Sequence, residues 1–159
     1  PFGGWAFRYG PGPVAGDKFD MGEILDTGIM VVGRRTWELF SGLFSTRTDD
    51  FSVKLNTMPK AVVSRTLDNA DGWTNSALLK GDLATEVKAL RETRDVYITG
   101  STSVVEELQA HDLVDQYRLI LFPTSVGQGQ RLIPTGNLEL TGCERLGPAV
   151  RLTYDRVQP

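Results

Sequence analysis

Four consecutive apolar residues, Ile29 to Val32, run into Gly33, two arginines and a threonine before Trp37, Leu39 and Phe40. The apolar run has the length and β-branched content of a buried strand, Gly33 breaks it, and Thr36 stands where a helix N-cap belongs. A chain with this stretch is committed to a strand, a glycine turn and a helix. Such a unit presents unpaired backbone N–H groups and the positive end of a helix dipole, which together make an anion site. Arg34 and Arg35 add two permanent cations inside the turn, so the chemistry favours phosphate over carboxylate. The alternative is a plain βα turn whose arginines are only solvated.

The same unit recurs twice. Ala61 to Val63 form a second apolar run, with Ser64, Arg65 and Thr66 at its C-terminal end. Asp95 to Thr99 form a third, delivering the chain to Gly100-Ser101-Thr102-Ser103 and a helix carrying Val104, Val105 and Leu108. Ser103 and Glu106 have capping-box spacing, which predicts that this helix starts at Ser103. Between these runs, after a turn-rich stretch around Asp71-Gly72, Asp82 caps a helix with Leu83, Val87 and Leu90 on one face. Three βα units with short polar turns predict a parallel sheet built by right-handed crossovers, with ligands at the C-terminal edges of its strands.

The flanking segments carry less. Residues 1–16 are rich in glycine, proline and aromatics and read as a loop, in which Trp5, Phe7 and Tyr9 either close over a ligand or are pinned onto a core edge. Residues 17–27 read as a short helix with Met21, Ile24 and Leu25 inward and Asp17 or Asp20 as its cap. Residues 41–59 read as a polar, irregular surface segment leading into a short helix. Further on, Gln116 to Phe122 form another strand, followed by a loop with Gly127 and Gly129. Leu138 and Leu140, then Val150, Leu152 and Tyr154, alternate with polar partners, which predicts an antiparallel hairpin closing one edge of the sheet.

Composition removes several function classes. The 159 residues suit one domain spanning 1–159, and a net charge of -3 with no basic run argues against a nucleic-acid binder. The single cysteine, Cys143, cannot form an internal disulfide and fits a reducing compartment. No apolar run approaches a membrane span and no signal peptide is visible, so the cytoplasm is the simplest address. His111 is the only histidine, which leaves no His-based metal cluster. It falls at a polar helix end and reads as a partner of the helix dipole rather than as a base. Neither a P-loop nor a glycine-rich Rossmann turn is present, and the paired signatures of zinc deaminases are missing.

Gly33-Arg34-Arg35-Thr36-Trp37-Glu38 resembles the Gly-Arg-X-Thr-Trp-Glu turn of dihydrofolate reductases, and Val62-Val63-Ser64-Arg65 resembles their second cofactor strand. Ile98-Thr99-Gly100-Ser101 stands where those enzymes carry a glycine pair. The later Leu113-Val114-Asp115-Gln116 and Pro123 to Leu132 are more similar to the reductase domain of riboflavin biosynthesis, the C-terminal branch of bifunctional deaminase-reductases. The resemblance runs from about residue 17 to residue 157. It implies an α/β fold, a dihydrofolate reductase-like three-layer sandwich with a mostly parallel central sheet and a C-terminal antiparallel hairpin.

The resemblance also implies roles. Gly33, Arg34, Arg35 and Thr36 would bind NADPH phosphates, Thr36 supporting the pyrophosphate through its helix start. Arg34 with Ser64, Arg65 and the adjacent Thr66 would meet the adenosine 2′-phosphate and favour NADPH over NADH. Gly100 and Ser101 would admit the pyrophosphate and nicotinamide side, with Thr102, Ser103 and Val104 at the helix N-terminus. Ser101 replaces the second glycine, which requires that its φ not be positive. On the substrate side, Asp17 falls where the folate enzymes keep their pterin-binding carboxylate, although an ordinary N-cap is the alternative. Met21 and Phe40 would line the pocket wall under the loop carrying Trp5. Asp17 or a bound water would be the proton donor. The family opens with a central strand that nothing before Trp5 supplies, so that strand is expected upstream of these residues or from another source, such as a partner chain. A homodimer is the expected assembly, as in the riboflavin branch. The activity implied is an NADPH-dependent reduction of a C=N or C=O group in a small heterocycle. The alternatives are a ligand-binding module that lost the chemistry and a true dihydrofolate reductase.

Overall fold

In a computed structural model that describes residues 8–10, 21–133 and 136–157, the run that opens the first unit is strand β1 (Ile29–Gly33), with every residue buried. Residues 21–113 make one compact unit, and the residues from 114 onward with the N-terminal segment make another. In the first unit β1 is preceded by the short helix α1 (Ile24–Thr27) and followed by α2 (Arg34–Phe44) and α3 (Asp50–Thr57). Next come β2 (Lys60–Val63), β3 (Ser76–Leu78), α4 (Leu83–Arg91), β4 (Val96–Ile98) and α5 (Thr102–Ala110).

The four strands form one parallel sheet in the order β3-β2-β1-β4. Its three predicted strands are all present. The fourth, β3, escapes a sequence reading because Ser76-Ala77-Leu78 offers no apolar, β-branched run. From β1 the chain steps outward to β2 and β3, then returns across the sheet to β4. Right-handed crossovers put the helices of the outward and return steps on opposite faces. The point of reversal is the β1/β4 boundary, where ligands bind in α/β sheets.

Alternation along the strands divides the core. Met30, Val32 and Val62 join Trp37, Phe44, Phe51, Leu55, Met58 and Trp73 in one cluster. Val31 and Ala61 point to the other face, and Val87, Val104 and Leu108 of α4 and α5 are buried as well. Each large side chain so buried is worth about 1.5–3 kcal/mol over exposure. The segment expected to be irregular after residue 40 begins as helix, with α2 running through Phe44, and then leads into a short helix, α3, as expected; Phe44, Phe51 and Leu55 reach the core cluster. Of the apolar residues after the turn, Leu39 is 59% exposed; Trp37 and Phe44, seven residues apart, define the buried stripe.

Helices α3 and α4 have acidic caps. Asp49 accepts from Ser52 N–H at 3.2 Å and Oγ at 2.7 Å, and Asp82 accepts from Thr85 N–H at 3.0 Å. These bonds hold both carboxyls below the ordinary carboxylate range. The cap of α1 is Glu23, without a side-chain bond; Asp17 and Asp20, expected there, lie outside the described residues. His111 is the C-cap residue of α5, the place expected for it.

The second unit is an antiparallel sheet of β5 (Gln116–Leu121), β6 (Leu138–Leu146) and β7 (Ala149–Arg156), in the order β5-β7-β6. The predicted hairpin is β6-β7, turning at Gly147, whose φ is +62°. It was expected to close an edge of the parallel sheet. Instead β7 spends both of its edges inside this unit, on β6 and on β5, and the hairpin ends in a sheet of its own. Tyr9 belongs here: its hydroxyl donates to the Pro123 carbonyl at 3.1 Å and pairs with Thr124 Oγ1, while its ring lies 5.3 Å from that of Phe122. Of the two roles open to the aromatic loop, Tyr9 takes the pinned one; Trp5 and Phe7 lie outside the described residues.

Candidate functional site

Strand register brings the three predicted turns to one edge. Gly33 is paired with Val63, so Arg34 and Ser64 leave neighbouring strands at the same level. On the other side, Val31 pairs with Ile98, and Gly33 N–H donates to the Gly100 carbonyl at 3.0 Å. The turns after β1, β2 and β4 therefore stand side by side at the C-terminal edge, with Gly33 and Gly100 at the reversal point.

These two glycines are held together by contact. A Cβ at Gly33 would come within 3.0 Å of Ser101 Cβ and N and nearer still to its Oγ; one at Gly100 would meet Thr36 Oγ1 at 2.9 Å. Gly100 also has φ of +134°, and its peptide bond to Ser101 is cis. Ser101 itself has φ of −74°, so a serine meets the requirement set for this position.

The two helices that begin here differ from α3 and α4 in their starts. The N-cap of α2 is Gly33, one turn earlier than the Thr36 cap the sequence suggests, because Arg34 already has helical geometry. Thr36 lies within the first turn, against Gly100. The N-cap of α5 is Ser101 rather than Ser103, and neither helix start has a side-chain cap. The Ser101 and Ser103 hydroxyls bond each other at 2.9 Å instead. First-turn N–H groups of Arg34, Arg35 and Thr36 have no partner within the helix, nor do those of Thr102 and Ser103. The Val104 N–H is used by the Ser101 carbonyl at 3.0 Å, and the Val104 side chain is buried, so this residue supports the turn from beneath.

The cations are arranged on the outer side. Arg34 Nη1 lies 3.0 Å from Glu38 Oε1, one helical turn on, with both side chains partly exposed. Arg35 and Arg65 are exposed and have no ion pair among the described residues. Ser64 Oγ accepts from the N–H groups of Thr66 at 3.1 Å and Leu67 at 3.0 Å. That turn presents Arg65 and Thr66 to solvent and leaves the Ser64 O–H as a donor.

The proposed substrate residues are less well defined. Met21 and Phe40 are partly buried against the same core cluster, Phe40 edge-on to Phe44 at 5.3 Å, and Asp17 and Trp5 lie outside the described residues. Sequence reading passed over two residues. Glu38 was legible from its i,i+4 spacing to Arg34. Lys60 was not: it opens β2 fully buried, its ammonium donating to the carbonyls of Met58 at 2.8 Å and Thr74 at 2.9 Å and sitting 4.4 Å above the Trp73 ring. No cluster of metal-ligating side chains occurs among the described residues.

A parallel sheet with glycine turns at its reversal point, two open helix starts and arginines at the adjacent strand end defines an α/β protein of the dihydrofolate reductase-like fold. The family model of the RibD C-terminal domain matches residues 10–152, and the chain belongs to that family, a reductase family of riboflavin biosynthesis. No curated protein matches the sequence. Among solved structures, a Shewanella sp. PV-4 protein assigned by name to riboflavin biosynthesis is similar at 19% identity and a TM-score of 0.66. The match covers 87% of this chain and 79% of that one. RibD of Acinetobacter baumannii is similar at 14% identity and a TM-score of 0.57, over 82% of this chain and 47% of that one, so this chain spans about half of that protein. The alternative of a true dihydrofolate reductase gains no support from these matches. No helix among the described residues is long and apolar enough to cross a membrane.

Proposed function

We propose that this chain is an NADPH-dependent reductase that acts on a C=N or C=O carbon of a small heterocyclic substrate. The observation that carries the reading is the convergence, fixed by strand register, of the Gly33, Ser64 and Gly100 turns on one sheet edge. The residues fit a dinucleotide. Glycine at 33 and 100 keeps the crevice free of side chains, and the two uncapped helix starts offer N–H groups to a pyrophosphate. Arg34, Arg35 and Arg65, with the Ser64 hydroxyl, suit the dianion that distinguishes NADPH from NADH.

When bound, NADPH supplies a hydride from its nicotinamide ring. The chain's own part is orientation. Gly100 and Ser101 set how closely the nicotinamide side can approach the sheet edge, and the arginines fix the adenosine end. Met21 and Phe40 would hold the substrate ring, with Asp17 or water as the proton source.

The test is a titration of the purified chain with NADPH and, separately, NADH, followed by nucleotide fluorescence. Micromolar NADPH binding that weakens on Arg65→Ala or Arg34→Ala supports the reading. No binding of either nucleotide refutes it, and NADPH binding without turnover on any heterocycle would leave a binding module.

A further inference from the structure

The Arg34–Glu38 pair is placed against the usual electrostatic sense of a helix. Arg34 and Arg35 occupy the first two positions of α2, where the dipole end is positive and cations are disfavoured, and no acidic residue lies in that first turn. Glu38 is the only carboxylate that answers them among the described ion pairs, and it holds Arg34 at 3.0 Å along the exposed flank of the helix. Arg34 is also the residue that leaves β1 level with Ser64 on β2, so the residue that Glu38 pairs with starts from the strand-end edge.

We propose that Glu38 tunes the site's discrimination between 2′-phosphorylated and unphosphorylated nucleotides; this rests on the dinucleotide reading above. A phosphate dianion reaching Arg34 meets a guanidinium already paired with Glu38, whose carboxylate oxygen lies 3.0 Å from Nη1. The pairing and the nearby negative charge weaken a ligand with a 2′-phosphate dianion more than one without it, whose only phosphates are the pyrophosphate assigned to the helix starts. Glu38 is a charge-setting residue that acts through Arg34 and touches no reacting atom. The pair is partly exposed, so its grip on Arg34 is weak enough for a dianion to displace it.

The experiment measures the affinities of the full chain for NADPH and NADH in the wild type and in the Glu38→Gln, Glu38→Asp and Glu92→Gln variants, at low and high salt. Glu38→Gln raises the NADPH-to-NADH affinity ratio about threefold to tenfold at low salt, the size expected for two charges at near-surface separation. The gain shrinks at high salt. Glu38→Asp keeps the charge and stays within about twofold of wild type, as does Glu92→Gln at the C-cap of α4, whose carboxylate is not paired with Arg34. An unchanged ratio in Glu38→Gln, in a variant that unfolds at the wild-type temperature, overturns the proposal while the dinucleotide reading stands. An equal gain in Glu38→Asp does the same, since contact rather than charge would then matter. If the wild type binds neither nucleotide, both fall.

Discussion

The side chain of Ser101 fills the space that a Cβ on Gly33 would need: such an atom would lie within 3.0 Å of Ser101 Cβ. Gly33 has φ of −73°, which any residue tolerates, so glycine is required there by crowding and not by backbone conformation. Gly33→Ala is expected to cost about 1–3 kcal/mol, the usual penalty for overpacking. Ser101→Gly should recover part of that loss in the double variant while costing stability by itself. Denaturant unfolding of the four proteins gives the coupling energy; additive effects would show that the two positions do not meet.

Gly100 is constrained in a different way. Its φ of +134° belongs to a region that side chains avoid, and a Cβ there would meet Thr36 Oγ1 at 2.9 Å. Gly100→Ala should destabilise by about 1–3 kcal/mol, chiefly through backbone conformation with the Thr36 contact adding to it. Trimming the contact with Thr36→Ala should relieve only the steric part and leave the backbone cost, so the rescue should be smaller than in the Gly33 pair. Thermal unfolding of the single and double variants separates the two cases.

Arg65 is exposed and without an ion pair among the described residues, so removing it leaves no buried group unsatisfied. Arg65→Ala should therefore leave the unfolding midpoint within about 0.5 kcal/mol of wild type. Its effect should fall on NADPH affinity, lowered roughly tenfold or more through loss of charge-assisted hydrogen bonds, with NADH affinity unchanged. Calorimetric titration with the two nucleotides reads both numbers.

Lys60 makes stability depend on pH. Burial pushes its ammonium down to about 8 from the ordinary 10.5. Between those values the unfolded chain binds the proton and the folded chain does not. Stability therefore rises as pH increases through that window, by no more than about 1.4 kcal/mol per unit. Lys60→Met should abolish the slope. It should also cost about 1–3 kcal/mol at neutral pH, because the carbonyls of Met58 and Thr74 lose their donor. Urea unfolding at several pH values between 7.5 and 10 follows both effects; an equal slope in the variant would assign it to another group.

Local signals were legible where the chain itself supplies the partner. The apolar runs of β1 and β2, the Asp82 cap with Thr85, the position of His111 and the β6-β7 hairpin all rest on neighbours a few residues apart. So does the glycine-arginine turn. Helix starts were shifted by one to three residues, because Gly33 and Ser101 cap without any side-chain bond that a sequence pattern could announce. The buried stripe of α2 passes Leu39 by, since which face is inward depends on the sheet beneath it.

The sequence alone determined that strands would run into glycine turns and that arginines would stand in them, because backbone conformation and charge are properties of a residue and its near neighbours. Tertiary structure decided which turns meet. The register of Gly33 with Val63 and its bond to Gly100, the fit of Ser101 over Gly33, the cage around Lys60 and the separate antiparallel sheet all join residues far apart in the chain. Such pairings depend on how whole elements pack, and no local pattern encodes them.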